Sequence, residues 1–324
     1  MYRKNNTIFT IDDLISQSSV MEEIKNKIHK VSNTDSTILI NGETGTGKEI
    51  VAQSIHNLSK RYTQPFVSVN CGDIPSNFLE HFLFGTEKDN LTASPDILGM
   101  LEQANGGTIF LDEISALDIK LQAKLLKVIE DKLIRRVGGK QDIHLNIRVL
   151  AATNESPDKL VRERILREDL YYRLSVFQLD LPRLSERKED ITPLIRYFIE
   201  FYNRHMQIKI EKLNDQVLIV FQQYNWPGNV RELKNAIETA YNNANTNEIN
   251  LNDIPAKIRN YSNVLEKITL SENNFNLKDK VEEYEKSLIM IELNNTGKKL
   301  AETARKLGIS KQLLKYKMGK YELR

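Results

Sequence analysis

The stretch Gly42-Glu43-Thr44-Gly45-Thr46-Gly47-Lys48-Glu49 constrains this chain more than any other. It fits the phosphate-cradling pattern G-x-x-x-x-G-K-[ST] at every position but the last, where Glu49 replaces a hydroxyl residue. Thr37 to Asn41 before it reads as a short buried strand. Ile50 to Lys60 after it has apolar residues at helical spacing, with Val51 and Ile55 four apart. A strand, a glycine-rich turn and a helix N-terminus together present backbone N–H groups and a positive dipole end to an anion. The three glycines let the backbone curl around phosphate oxygens where a Cβ would clash. Lys48 supplies a point charge to the terminal phosphates. The motif predicts a site for a nucleoside triphosphate. In this motif the hydroxyl holds Mg²⁺, and a carboxylate at Glu49 still offers the metal a ligand, directly or through water.

At 324 residues the chain has room for two or three domains with their own cores. No apolar run approaches membrane-spanning length, and Met1 to Asn6 lacks the apolar segment of a signal peptide. The single cysteine, Cys71, excludes an intramolecular disulfide and the usual cysteine-based zinc site. These features predict a protein of the reducing cytoplasm, with no membrane partner. The net charge of +2 hides an asymmetry. Residues 298–324 carry nine Lys/Arg and two Asp/Glu, a net of +7, which leaves the remainder at −5. A basic tail on a mildly acidic body predicts that the tail meets a polyanion.

Four more strand-like runs follow the glycine-rich turn: Phe66 to Asn70, Thr108 to Leu111, Ile147 to Thr153 and Val176 to Leu181. Helical patterns lie between them, the clearest around Leu121, Leu125 and Ile129. Strands alternating with helices predict a parallel sheet covered on both faces. After Pro182 the pattern is purely helical. Ile191, Leu194, Ile195, Phe198, Ile199 and Tyr202 form one stripe, with Asp190 as its expected N-cap. Two further helical segments flank Trp226-Pro227-Gly228. The expected divisions are an α/β nucleotide-binding part at 1–182, a helical lid at 183–260, a linker at 261–276 and a compact helical unit at 277–324.

Thr108-Ile109-Phe110-Leu111-Asp112-Glu113 is an apolar strand ending in two carboxylates. Beside the strand that carries the phosphate loop, Asp112 would hold Mg²⁺ and Glu113 would polarise an attacking water. The chain carries further strings at consistent spacing. They are Phe66-Val67-Ser68-Val69-Asn70-Cys71, Leu83-Phe84-Gly85, Gly106 to Glu113 and Ala151-Ala152-Thr153-Asn154. Arg167-Glu168-Asp169-Leu170-Tyr171-Tyr172-Arg173-Leu174 and Trp226-Pro227-Gly228-Asn229-Val230-Arg231-Glu232-Leu233 complete the set. With these, the sequence resembles the AAA+ domain of bacterial enhancer-binding proteins, the sigma-54 activator family, from Phe9 to about Pro255. A Fis-type helix-turn-helix follows.

The resemblance implies an α/β AAA+ P-loop fold with an α-helical lid and a small all-α DNA-binding domain. It implies an ATPase that uses ATP and Mg²⁺, with Glu49 the usual family residue at its position. Asn70 matches the residue that holds Glu113 according to nucleotide state, and Thr153 and Asn154 match a sensor of the γ-phosphate. Arg231 matches the lid arginine that reaches the phosphates of its own subunit. Arg167 and Arg173 match arginines that face a neighbouring subunit's nucleotide, which implies a homo-oligomer, from a dimer to a hexameric ring. The implied partners are double-stranded DNA and an RNA polymerase holoenzyme.

One family feature is altered. The sigma-54-contacting loop Gly-Ala-Phe-Thr-Gly-Ala corresponds to Asp89-Asn90-Leu91-Thr92-Ala93-Ser94, where only Thr92 matches. Both glycines are gone, Leu91 replaces the aromatic tip, and Ile97 and Leu98 follow where relatives with a short loop have arginine and proline. Two modes of regulation therefore stand: remodelling of the sigma-54 polymerase, or nucleotide-driven assembly that changes DNA binding without sigma-54 contact. A AAA+ chaperone would need a substrate-gripping pore loop and has no use for the C-terminal unit. About ten residues precede the first motif where relatives carry a sensor domain, so control through a partner protein and loss of such a domain are both expectations.

In that C-terminal unit, Leu300, Ala304 and Leu307 share a face, Gly308 turns, Ile309 plugs the core and Ser310 caps a second helix. Leu313, Leu314 and Met318 are expected on its inner face, and Lys311, Gln312, Lys315 and Lys317 on its outer one. Gln312 is the candidate base reader and the lysines are candidate phosphate contacts. The helix from Leu277 to Leu293 has spacing suited to pairing with its twin.

Overall fold

The computed structural model describes residues 6–87, 96–206, 209–261, 277–296, 299–321 and 323. The chain divides into two units, Met1–Arg259 and Asn260–Arg324. Strand alternation builds the first. Its sheet comprises β1 (Ile38–Asn41), β2 (Phe66–Asn70), β3 (Thr108–Asp112), β4 (Arg148–Thr153) and β5 (Phe177–Asp180), all parallel, in the order β2-β3-β4-β1-β5. Ile38 and Ile40 of β1, Phe110 of β3, and Leu150 and Ala152 of β4 enter one core, with residues of α1 (Ser19–Ser32) and α2 (Lys48–Asn57). The intervening Leu39, Ile109, Leu111, Val149 and Ala151 enter the other, against α3 (Ser76–Phe84), α4 (Ile119–Asp131) and α5 (Glu168–Leu174). A period of two on strands buried on both faces gives this three-layer arrangement.

The register brings the functional positions to one edge. Asn41 lies beside Thr153, and Asn70 beside Asp112, at the C-terminal ends of their strands. That is where ligands bind in open parallel sheets.

The lid of the same unit is α6 (Ile191–His205), α7 (Asp215–Gln223) and α8 (Asn229–Asn243). Tyr241 joins α8 to α6, its hydroxyl bonded to Ile199 O (2.8 Å) and Asn203 Oδ1 (2.6 Å). Asp190 does not cap α6 with its side chain. It is fully buried, and its carboxylate instead accepts the N–H groups of Gln17 (2.6 Å) and Ser18 (2.8 Å) and the Ser18 hydroxyl (2.8 Å). Distant backbone donors that would otherwise be buried unpaired outbid the local cap.

The second unit is α9 (Leu277–Asn295), α10 (Leu300–Lys306) and α11 (Lys311–Lys320), around Ile289, Leu293, Ala304, Leu314 and Tyr321. Among the described residues no helix is long and apolar enough to cross a membrane. The expected linker at 261–276 falls, beyond Tyr261, outside the described residues, as does the altered loop Asp89 to Ser94.

Candidate active site

β1 ends at Asn41, and α2 begins at Lys48, two residues earlier than the apolar spacing alone predicts. Gly45 must be glycine for two reasons. Its φ is +82°, and a Cβ there would lie 2.3 Å from Gly228 O and 3.0 Å from Arg231 Cβ, at the start of the lid helix α8. Lys48 is buried, and its Nζ donates to Gly42 O (2.8 Å) and, at longer range, to Glu43 O (3.4 Å). Burial pushes its pKa down, the nearby Asp112 and Glu113 carboxylates pull it back up, and Arg231 adds to the lowering. The ammonium is thus held over the loop with too few counter-charges, which suits it to an anion.

β3 delivers the two carboxylates. Glu113 follows the strand in the left-handed region (φ 54°, ψ 52°), where a non-glycine residue costs ~1 kcal/mol or more. Asp112 Oδ1 accepts the Glu113 N–H at 2.9 Å and helps fix that turn. The Glu113 carboxylate lies against the Cα of Gly72, where a Cβ would come within 2.1 Å of Oε2. Asn70, expected to hold Glu113, is engaged elsewhere: its Nδ2 donates to Asp73 Oδ2 (2.8 Å) and its Oδ1 accepts the Gly72 N–H (3.0 Å). Asp73, three residues on in the same turn, presents a nearer carboxylate. Between Asn70 and Asp73 sits Cys71, whose thiol is pushed up to about 12 by burial and by the Asp112 and Glu113 carboxylates, and so stays protonated.

The lid closes on the loop through backbone and amide groups. Asn229, in the left-handed region at φ 51°, donates from Nδ2 to Thr44 O (3.1 Å) and accepts the Leu184 N–H (2.8 Å). The Val230 N–H donates to Gly45 O (3.0 Å). Trp226 is buried edge-on against Phe221 and Tyr224 and anchors that turn. Arg187, only 2% exposed, donates to Thr46 O (3.0 Å) and pairs with Asp190 at 3.8 Å. Its pKa is lowered by burial against the opposing pull of Asp190.

These groups surround a cavity of about 450 Å³. Lys48, Glu49, Asn70, Asp112, Glu113 and Arg231 line it with the loop residues Thr44 to Gly47, and its apolar lining includes Phe9, Leu14, Ile15, Tyr197, Phe198 and Phe201. Charged groups that suit phosphates and apolar side chains that suit a base therefore share one space. Among the described residues no group of three or more His, Cys, Asp or Glu side chains forms a metal cage. Mg²⁺ uses one or two carboxylates together with phosphate oxygens and water, and the carboxylates facing the cavity fit that need. Glu49 accepts a hydrogen bond from Gln53 Nε2 at 3.1 Å.

Other expected residues are not at the cavity. The Thr153 hydroxyl is folded onto Glu155, donating to its O (3.1 Å) and accepting its N–H (3.2 Å), and neither Thr153 nor Asn154 lines the space. Thr153 braces the loop through its carbonyl, which accepts the Gly42 N–H at 3.2 Å. Arg167 pairs with Asp169 (2.8 Å) and Arg173 with Glu130 (2.7 Å), both on the surface away from the cavity.

In the second unit, the Ser310 hydroxyl accepts the Leu313 N–H at 3.1 Å and caps α11, and Gly308 turns at φ +66°. Lys311, Gln312 and Lys315 are exposed. Two expectations fail. Leu313 is 41% exposed, whereas Leu314 is fully buried. Lys317 is half-buried and bound to Glu285 of α9, so it is not on the outer face.

The apolar lining of the cavity, Arg187, Gln53 and Gly72 are absent from the sequence reading. Their partners lie up to 141 residues away, as with Arg187 and Thr46. Only the Trp226-Pro227-Gly228 turn signalled that a lid helix begins nearby.

The sequence matches the family described as the Sigma-54 interaction domain over residues 14–180, and the AAA+ ATPase lid domain over residues 185–269. It is 40% identical to the transcriptional activator RocR of Bacillus subtilis, over 99% of this chain and 71% of that protein. It is 39% identical to the signal-transduction and transcriptional-control protein of Clostridium beijerinckii, over 98% of this chain and about half (49%) of that protein. Among solved structures, NtrX from Brucella abortus in complex with ATP superposes with a TM-score of 0.72 at 31% identity. The likeness covers 95% of this chain and 69% of that one.

Proposed function

This chain belongs to the sigma-54 activator family of AAA+ transcriptional regulators, and from that premise we propose that it hydrolyses ATP in the cavity under its lid to regulate transcription from DNA bound by its C-terminal unit. The carrying observation is the convergence of Lys48, Asp112, Glu113 and Arg231 on one cavity that also has an apolar lining. Lys48 leaves the Gly42 and Glu43 carbonyls for the terminal phosphates, while N–H groups of the loop between Thr44 and Gly47 cradle them. Arg231 reaches the same phosphates from the lid. Asp112 and Glu49 would hold Mg²⁺, which neutralises charge on the phosphate oxygens. Glu113 orients the attacking water and takes up its proton. Asn70 exchanges Asp73 for Glu113 as nucleotide state changes, and Thr153 and Asn154, outside the cavity, sense the γ-phosphate indirectly, through the loop that the Thr153 carbonyl holds at Gly42.

Arg167 and Arg173 act on the nucleotide of a neighbouring copy in a homo-oligomeric ring, a location that suits their distance from the chain's own cavity. In the unit from Leu277 onward, Gln312 reads a base edge, Lys311 and Lys315 contact phosphates, and Ser310 fixes the helix that carries them.

The composition of Asp89 to Ser94 favours a mode in which nucleotide-driven assembly changes DNA binding without sigma-54 contact. Transcription in vitro with sigma-54 holoenzyme and with the major holoenzyme separates the two modes, together with capture of sigma-54 in the presence of a transition-state mimic of ATP. The expected outcome is regulation of the major holoenzyme and no mimic-dependent complex with sigma-54. Mimic-dependent capture would return the chain to polymerase remodelling.

A further inference from the structure

Gln53 lies on α2, one turn beyond Glu49, and is 3% exposed. Both ends of its amide are committed. Oε1 accepts the backbone N–H groups of Ile8 (2.8 Å) and Phe9 (2.9 Å). Nε2 donates to Glu49 Oε1 (3.1 Å). One turn further, Asn57 repeats the grip, with Nδ2 donating to Phe9 O (2.7 Å) and Oδ1 accepting the Thr7 hydroxyl (2.9 Å). Thr7 to Phe9 therefore lies as a strap along α2. The strap has no secondary structure of its own, so these side-chain bonds satisfy its backbone. Phe9 and Glu49 both line the cavity, Phe9 in its apolar lining and Glu49 among its charged groups.

A purely structural role would need only an acceptor for the two strap amides. Gln53 also supplies a donor, and that donor goes to the carboxylate assigned to the metal. The bond from Gln53 holds one oxygen of Glu49 and leaves the other for a ligand, so less side-chain freedom is lost when the metal arrives.

We propose that Gln53 is a positioning residue that couples docking of the Thr7–Phe9 strap to metal binding at Glu49. The strap holds more tightly when Mg²⁺–nucleotide is bound, and the metal binds more tightly when the strap is docked, by the same factor. The proposal rests on the nucleotide site described above and adds a route by which the Thr7–Phe9 segment feels the state of the site.

Hydrogen exchange at the Ile8 and Phe9 amides of the full chain, with ADP alone and with Mg²⁺–ADP, reads the strap directly. In the parent, Mg²⁺ is expected to slow exchange by about fivefold or more, the usual range of coupling between sites. Glu49→Ala is expected to match the parent in ADP alone and to lose the Mg²⁺ response. Gln53→Glu keeps an acceptor for the strap and removes the donor to Glu49, so it is expected to stay protected and also lose the response. Binding of a fluorescent ADP, measured alongside, distinguishes the failures. A parent that binds no nucleotide overturns the site and the proposal with it. A parent that binds Mg²⁺–ADP with unchanged strap exchange overturns the coupling alone, as does a Glu49→Ala or Gln53→Glu protein that responds like the parent.

Discussion

Lys48 and Glu113 face the same cavity from opposite chemical roles. Lys48→Ala removes a charge-assisted contact to phosphate and is expected to weaken ATP binding about 100-fold, roughly 3 kcal/mol. Glu113→Gln keeps the shape of the side chain and removes its basicity. Its ATP affinity is expected to stay near the parent value while turnover falls by about 10²–10⁴. Titration with a fluorescent nucleotide and a phosphate-release assay separate the two, and parental turnover in Glu113→Gln would reassign the water-orienting group. A different residue governs acid stability. His56 is fully buried, with Nδ1 against the Thr108 hydroxyl at 2.9 Å. Burial, aided by Arg148 and Arg61, pushes its pKa from 6.5 to about 4, against a backbone hydrogen bond with Gln64 that raises it. The unfolded chain binds this proton first as pH falls, so stability is lost from about pH 6.5 down towards pH 4. A shift of that size corresponds to a loss on the order of 3 kcal/mol. His56→Asn is expected to flatten urea-unfolding stability between pH 6.5 and 4.5, above the window where the lowered carboxylates Asp35 and Asp169 begin to titrate. An unchanged slope would exclude His56 as its source.

At the scale of elements, α2 and α11 repeat one device: a helix start fixed by a loop, with side chains aimed outward from its first turns. In α11 Lys315 and Lys317 divide by what they touch. Lys315 is exposed, whereas Lys317 is held by Glu285 of α9, which also accepts the Tyr321 hydroxyl. Lys315→Ala is expected to weaken binding to all DNA sequences and reduce the slope of log affinity against log salt by about 1. Lys317→Ala is expected to leave that slope unchanged and to cost the C-terminal unit about 0.5–1 kcal/mol, the range for a partly exposed pair. Salt titrations and thermal unfolding of both variants test the division, and equal loss of salt slope would place Lys317 at the DNA after all.

Assembly is a property of the whole molecule. Arg173 is 58% exposed and paired with Glu130 on a surface the cavity does not reach. If it completes a neighbour's site, Arg173→Ala is expected to bind ATP as the parent does and hydrolyse it slowly. Mixed with Lys48→Ala, whose own site binds ATP weakly but whose arginine is intact, it should recover part of its turnover. Turnover per chain in the parent should also rise with protein concentration. A specific activity independent of concentration, with no recovery on mixing, would mean that each chain hydrolyses alone.

The amino-acid sequence by itself determined the local chemistry. Short apolar runs defined the five sheet strands to within a residue or two, and the spacing of Gly42 to Lys48 and of Asp112 with Glu113 defined a phosphate site. Such signals are short-range: a strand's period, a glycine's permitted φ and a cap's offset all act within a few residues. Tertiary structure decided which polar groups meet. Asp190 looked like a helix cap and became a staple for Gln17 and Ser18, more than 170 residues away. Asn70 turned to Asp73, Lys317 to Glu285, and the buried Gln53 joined Glu49 to the strap. A buried donor or acceptor takes whichever partner the packed chain brings within about 3 Å. That choice depends on the folding of the rest of the molecule, and no local pattern encodes it.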